Sequence, residues 1–272
     1  MAAEPTVESW ARAYLSSTSL AIKVAPPSCP RRWNQAPVPE RLAGPGRPPE
    51  LARAERGMRT PKAEGFSDPR CRARVLHAFW HHELQAAELM CWALLAFAGA
   101  ERGFRKGLLR ICHDEIRHMA LYQARIEALG FSIGDFPVRD WFWERVPACA
   151  SQVQFVALMG MGFEAANLEH APDFAARFRA VGDALGADVQ ERIAEEELPH
   201  VRFAVRWFQR WTGGCDFETW RAELPEPLSP MVLKGRRVDR AVRLRAGMPE
   251  DFIARLIAFE PRPPLATDRR RG

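Results

Sequence analysis

The sequence predicts an all-α protein, a four-helix bundle built from two αα-hairpins with a long crossover between its second and third helices. Irregular N- and C-terminal extensions flank it. Three observations lead there. Between residues 70 and 212 apolar residues recur at the helical period, and few β-branched residues favour strands. Gly99 and Gly103 punctuate one short turn and Gly182 and Gly186 another, whereas about seventeen residues, 130–146, separate the two hairpins. Most prolines fall outside this region, where they break regular elements.

Residues 1–70 form the first extension. An amphipathic stretch over 6–15 predicts one helix, and then Pro26, Pro27, Pro30, Pro37, Pro39, Pro45, Pro48 and Pro49 predict an extended strap wrapped on the bundle. The bundle occupies 71–212, with helices expected over 72–97, 102–129, 147–170 and 184–211. Pro172 is expected to end the third helix, with a short helical piece at 174–181 after it. Pro199 removes one backbone hydrogen bond inside the fourth, which predicts a kink or π-bulge beside His200. Residues 213–272 are again Pro-rich, with one helix expected over 249–259.

Composition narrows the class. With 272 residues, 47% hydrophobic and 27% charged, the chain can bury a sizeable core, and whole-chain disorder is excluded. The longest apolar stretches, 91–100 and 155–163, are about half of the ~20 residues a membrane span needs. The first ten residues carry Glu4 and Glu8 and no basic group, which argues against a secretory leader and for a cytoplasmic protein. Six cysteines (29, 71, 91, 112, 149 and 215) form no C-x-x-C pair, as suits reduced thiols. Net charge is +5, yet only four of the 39 basic residues are lysine, so the excess reads as composition more than as a nucleic-acid surface. The one basic run is Arg269 to Arg271.

Two E-x-x-H motifs carry the chemistry: Glu115-Ile116-Arg117-His118 and Glu197-Leu198-Pro199-His200. Positions i and i+3 share a helix face, so each motif aims a carboxylate and an imidazole the same way. His118 and His200 are 82 residues apart, as are Glu115 and Glu197, while Glu83 and Glu164 are 81 apart. The chain therefore repeats one pattern: a Glu on the first helix of a hairpin, then E-x-x-H on the second. Folded together, four helices bring four carboxylates and two imidazoles to one point. Such a cluster is prohibitively costly unless protonated or paired, and two divalent cations would cancel it. Glu from two helices and E-x-x-H from the other two is the arrangement of di-iron and di-manganese carboxylate proteins. Glu88 and Glu169 are also 81 apart, so spacing alone leaves them as rivals of Glu83 and Glu164. The rivals are expected as supporting or surface groups.

At these residues the chain resembles the ferritin-like di-iron superfamily. Asp114-Glu115-Ile116-Arg117-His118 matches its D-E-x-R-H form. His82-Glu83-Leu84-Gln85-Ala86, Glu164-Ala165-Ala166-Asn167-Leu168-Glu169 and Glu196-Glu197-Leu198-Pro199-His200-Val201 resemble the signatures of an uncharacterised bacterial ferritin-like family, near the tRNA hydroxylases that act on a modified adenosine. Pro199 stands where that family has Gly, and Ala166-Asn167 where it has Arg-Gly.

The resemblance implies two Fe ions, with Mn or mixed Fe/Mn using the same ligands. Glu115 and Glu197 would bridge them, flanked by Glu83, His118, Glu164 and His200. It further implies dioxygen activation to hydroxylate or oxidise a small-molecule substrate or a modified tRNA, by a monomer or homodimer whose electron donor is open. A ferroxidase or iron-handling role is the alternative. Of the remaining histidines, His77, His81, His82, His113 and His170 are expected on helix surfaces or behind the ligands. Asp114 could orient a ligand imidazole. Tyr122 is either a redox-active phenol or a hydrogen-bonded core tyrosine. Trp141-Phe142-Trp143 is expected as an apolar lid.

Overall fold

The computed structural model describes residues 4–54, 63–234 and 237–260. The arginine run 269–271 lies outside them. Two helices precede the bundle, α1 (Val7–Ser16) and α2 (Leu20–Val24). The first hairpin packs α3 (Pro69–Ala96) along α4 (Arg102–Ala128). The third bundle helix begins as α5 (Gln152–Phe155), passes through a π-helical stretch (Val156–Glu164) and continues as α6 (Ala165–Ala180). It packs along α7 (Ala184–Thr212), and α7 also meets α4, which joins the hairpins. Three short helices follow, α8 (Phe217–Ala222), α9 (Arg240–Arg245) and α10 (Glu250–Ala258). Among the described residues the only β pairing is an isolated bridge between Arg53 and Val138. The fold is the all-α bundle of two hairpins expected from the sequence.

Local chemistry sets the helix ends. Asp68 caps α3 by accepting from the Arg70 N–H, and Pro69 occupies the first turn, where its missing donor costs nothing. Asp183 caps α7 through the Gly186 N–H, and Gly213 closes it in the left-handed region at φ 80°.

Nearly every residue of α3 from Ala73 onward is buried, so it lacks the polar stripe of an outer bundle helix. The N-terminal extension supplies the cover. Helix α1 lies against α3, the Trp92 indole N–H donates to the Leu42 carbonyl, and the Glu40 N–H donates to that of Leu95. The same strap pairs with the crossover, Ala54 N–H to Val138 carbonyl and Val138 N–H to Ala52 carbonyl.

The C-terminal extension covers the third helix in turn. Trp220 donates its indole N–H to the Ala157 carbonyl in the π-helical stretch, 2.9 Å away, and Leu233 packs on Gly162. A Cβ at Gly160 would come within 2.2 Å of the Ala204 Cβ, so glycine here lets α7 approach.

Three expectations are corrected. Pro172 does not end a helix: α6 runs through it to Ala180, because Leu168, Ala171, Ala175 and Phe178 hold one continuous buried face while Pro172 is exposed. Pro199 leaves α7 α-helical, since it too faces solvent, where water can satisfy the freed carbonyl. The π-helical stretch lies instead on the facing helix and ends at Glu164. Among the described residues the C-terminal extension holds three α-helices where one was expected, and α2 adds a second to the N-terminal one.

Glu88 and Glu169 are buried, and neither is a surface group. Glu88 meets Lys23 Nζ at 2.7 Å, Arg47 Nη1 at 2.6 Å and the Trp143 indole N–H at 2.9 Å. Lys23 also donates to the Tyr14 and Leu15 carbonyls at the end of α1. Glu169 accepts from Arg243 Nε at 2.6 Å and Nη2 at 2.8 Å. Each member of this carboxylate pair thus fastens one extension to the bundle. Glu88→Ala should lower stability by about 3–5 kcal/mol, because Lys23 is left a buried cation without a carboxylate and Arg47 keeps only Asp140. Denaturant titration measures it; a loss under about 1 kcal/mol would show the pairing to be idle.

Candidate metal centre

Four helices each deliver their expected residues to one buried point. Glu83 comes from α3, Glu115 and His118 from α4, Glu164 from the last residue of the π-helical stretch, and Glu197 and His200 from α7. All six are at most 6% exposed. One ligand atom each from Glu83, Glu115, His118 and Glu197 lies within 4.8 Å of the others, a group that could hold a metal ion. Glu164 and His200 lie outside that tight group and adjoin it through the same two carboxylates. His200 Nδ1 is 3.1 Å from Glu115 and 3.0 Å from Glu197, and Glu164 faces Glu197.

The two E-x-x-H carboxylates are shared. Glu115 turns Oε2 to His118 Nδ1 at 3.2 Å and Oε1 to His200 Nδ1 at 3.1 Å. Glu197 turns Oε1 to His118 at 3.5 Å and Oε2 to His200 at 3.0 Å. Glu83 approaches only His118, at 3.4 Å. The imidazole centroids are 5.9 Å apart. Glu83 thus adjoins His118, while Glu164 adjoins Glu197 and feels the charge of His200.

Outside the cluster the imidazoles are held crosswise. His200 Nε2 meets Asp114 at 3.2 Å, and His118 Nε2 meets Glu196 at 3.0 Å. Each E-x-x-H histidine is therefore fixed by the residue preceding the other motif's glutamate, and Arg117 ties Asp114 to Glu196 at 2.6 and 2.7 Å. Both outer carboxyls sit near 2: burial would raise them, but hydrogen bonds to His200 and Arg117, or to Arg117 and Arg192, prevail. Such contacts orient ligand rings. Glu196 and Arg117 were not singled out from the sequence, although Asp114 and Glu196 repeat the 82-residue interval.

The donor set fits a metal. Glu164 Oε1 is buried without a hydrogen-bond partner, and Glu115 Oε1 and Glu197 Oε1 face an imidazole without completing a hydrogen bond, which is costly for carboxylate oxygens unless a cation takes them. Without metal, protons balance the charge. Burial, with the neighbouring carboxylates, pushes Glu83 and Glu164 well above the usual carboxylate range. Burial opposes charge on His118 and His200 too, but the surrounding carboxylates override it and hold both rings protonated. Glu115 and Glu197 fall below the usual range: burial and their mutual repulsion are outweighed by those imidazoles.

Other expected residues fall around this centre. Tyr122 is buried, donates its hydroxyl to Gln190 Oε1 at 3.3 Å and stacks on Phe79. His77 accepts from the Gly134 N–H, and His81 pairs with Asp140 at 3.2 Å. His113 and His170 are exposed on their helices. Of the aromatic triplet, Phe142 stacks between His82 and Phe163, the neighbours of Glu83 and Glu164, and Trp143 reaches Glu88.

Metal affinity should rise with pH, because ligation needs all six groups deprotonated. Glu83, Glu164, His118 and His200 have raised values in the folded chain. Their stabilisation is complete below the unfolded values and is lost as pH rises through the folded ones, so the metal-free protein weakens from pH 6 to 8. The gain in Tm on adding Fe(II) or Mn(II) should be larger at pH 8 than at pH 6, read by thermal melts at both; an equal or smaller gain at pH 8 would contradict the charge assignment.

No curated protein and no solved structure gives a significant match to the chain. A family model described as "Protein of unknown function (DUF455)" matches residues 3–254 and so covers the bundle and most of both extensions. The chain belongs to this family of proteins of unknown function.

Proposed function

We propose that this chain is a dinuclear metal oxidoreductase, with two iron ions, that activates dioxygen to hydroxylate or oxidise an organic substrate. One observation carries the dinuclear reading: Glu115 and Glu197 each turn one oxygen to His118 and the other to His200. A carboxylate divided in this way suits two cations side by side. The resemblance of the D-E-x-R-H and E-E-x-x-H segments to ferritin-like di-iron proteins supports iron and dioxygen.

The ions would supply redox chemistry and open positions for dioxygen, and the chain's own groups would hold and orient them. Glu115 and Glu197 would hold both ions, Glu83 and Glu164 would each hold one, and His118 and His200 would offer their inward-facing nitrogens. Asp114 and Glu196 keep the Nε2 protons in place. Tyr122 retains its phenolic proton on the bond to Gln190. His82, Phe142 and Phe163 form an aromatic stack between the helices that carry Glu83 and Glu164, which would offer an apolar face to a substrate.

Protein produced with iron should contain about two ions per chain, a number that follows from six ligands with two shared. Glu83→Ala and Glu164→Ala should each cut that content sharply, whereas the folded fraction of Glu88→Ala and Glu169→Ala keeps it. Metal analysis decides. No metal, or one tightly held zinc, would remove the proposal.

A further inference from the structure

One pair of reactive groups inside the bundle has no part in the proposed site. Cys91 on α3 and Cys112 on α4 are buried, and their sulfurs are 3.5 Å apart, one thiol sharing its hydrogen with the other. Both are free. The sulfurs face each other across the first hairpin, and a disulfide needs them at about 2.05 Å, so closure asks for roughly 1.5 Å of movement between adjoining helices. Cys112 is three residues, one helical turn, before Glu115 on the same face. On the other side, half-buried Cys29 of the N-terminal strap packs on the same core. Hydrogen bonding to Cys91, burial and the charges of Cys91, Glu115 and Cys29 push the Cys112 thiol up.

We infer that Cys91 and Cys112 form a redox couple that supplies two electrons and two protons to dioxygen at the neighbouring metal centre. The inference rests on the function proposed above and adds its electron source. The balance closes: an organic substrate RH, O2 and two Cys–SH give ROH, H2O and one Cys91–Cys112 disulfide. Two S–H bonds break and one S–S bond forms. The thiols are oxidised, one oxygen atom enters the substrate, and the other leaves as water with the two thiol hydrogens. A small dithiol, by exchange with the disulfide, restores the pair and leaves as its own disulfide.

The test uses the full-length protein, loaded anaerobically with Fe(II), assayed for metal and then exposed to dioxygen with catalase; with no RH present, O2 and the two Cys–SH give H2O2 and the disulfide. Accessible plus buried thiols, counted after denaturation in acid, should fall from six to four, with a mass loss of about 2 Da and a peptide joining Cys91 to Cys112. The same protein without iron should keep six thiols over that time. Cys112→Ala should keep its five, and because truncating a buried side chain can destabilise the fold, the wild-type count is the deciding measurement. Two bound ions with six thiols retained would overturn the inference and leave the dinuclear function standing. If no iron binds, the dinuclear function fails and the electron-source inference falls with it. A link from Cys91 or Cys112 to Cys29, with none between the pair, would also overturn it.

Discussion

Burying four carboxylates at one point of a helical bundle is the constraint from which the rest of the structure follows. Like charges at such distances in a dry interior cannot all persist without cations or protons. The metal-free chain meets this by protonating Glu83 and Glu164 and by placing His118 and His200 as cations against Glu115 and Glu197. Glu164 Oε1 stays buried without a hydrogen-bond partner, as suits a group that could hold a metal ion. Asp114, Glu196 and Arg117 add a ring of charge that holds the imidazoles in orientation, each half of the repeat supporting the other.

The same repeat supplies a second pair of buried carboxylates and neutralises them differently. Glu88 and Glu169 take permanent cations, Lys23 with Arg47 and Arg243, from segments outside the four-helix core. Their role is to hold the extensions, and the extensions in turn cover α3 and the π-helical stretch that ends at Glu164. Buried ion pairs of this kind add little net stability over apolar packing but make removal of one partner costly. The flanks are thus part of the bundle's construction.

Much of this was legible in the sequence. The 82-residue repeat of E-x-x-H, with glutamates 81 apart, located the cluster, because i,i+3 spacing on helices fixes direction as well as proximity. The choice between Glu83 with Glu164 and Glu88 with Glu169 was not fixed by spacing, since both pairs repeat and both are buried. What separates them is which cations arrive from 40 to 80 residues away, a tertiary fact. Pro172 and Pro199 misled for a related reason: both rings face solvent, while buried residues on the opposite face keep each helix continuous. The π-helical stretch had a weak signal in Gly160 and Gly162, whose purpose appears only against Ala204 and Leu233. The crosswise contacts of Asp114 and Glu196 were present in the repeat as a third interval of 82.

The central claim is that Glu115 and Glu197 are shared between two metal positions. An anomalous-scattering crystal structure of iron-loaded protein tests it most directly. The account predicts two ions, both contacting Glu115 and Glu197, one also bound by Glu83 and His118 Nδ1 and the other by Glu164 and His200 Nδ1. A single ion among Glu83, Glu115, His118 and Glu197, with Glu164 and His200 turned away, would contradict it.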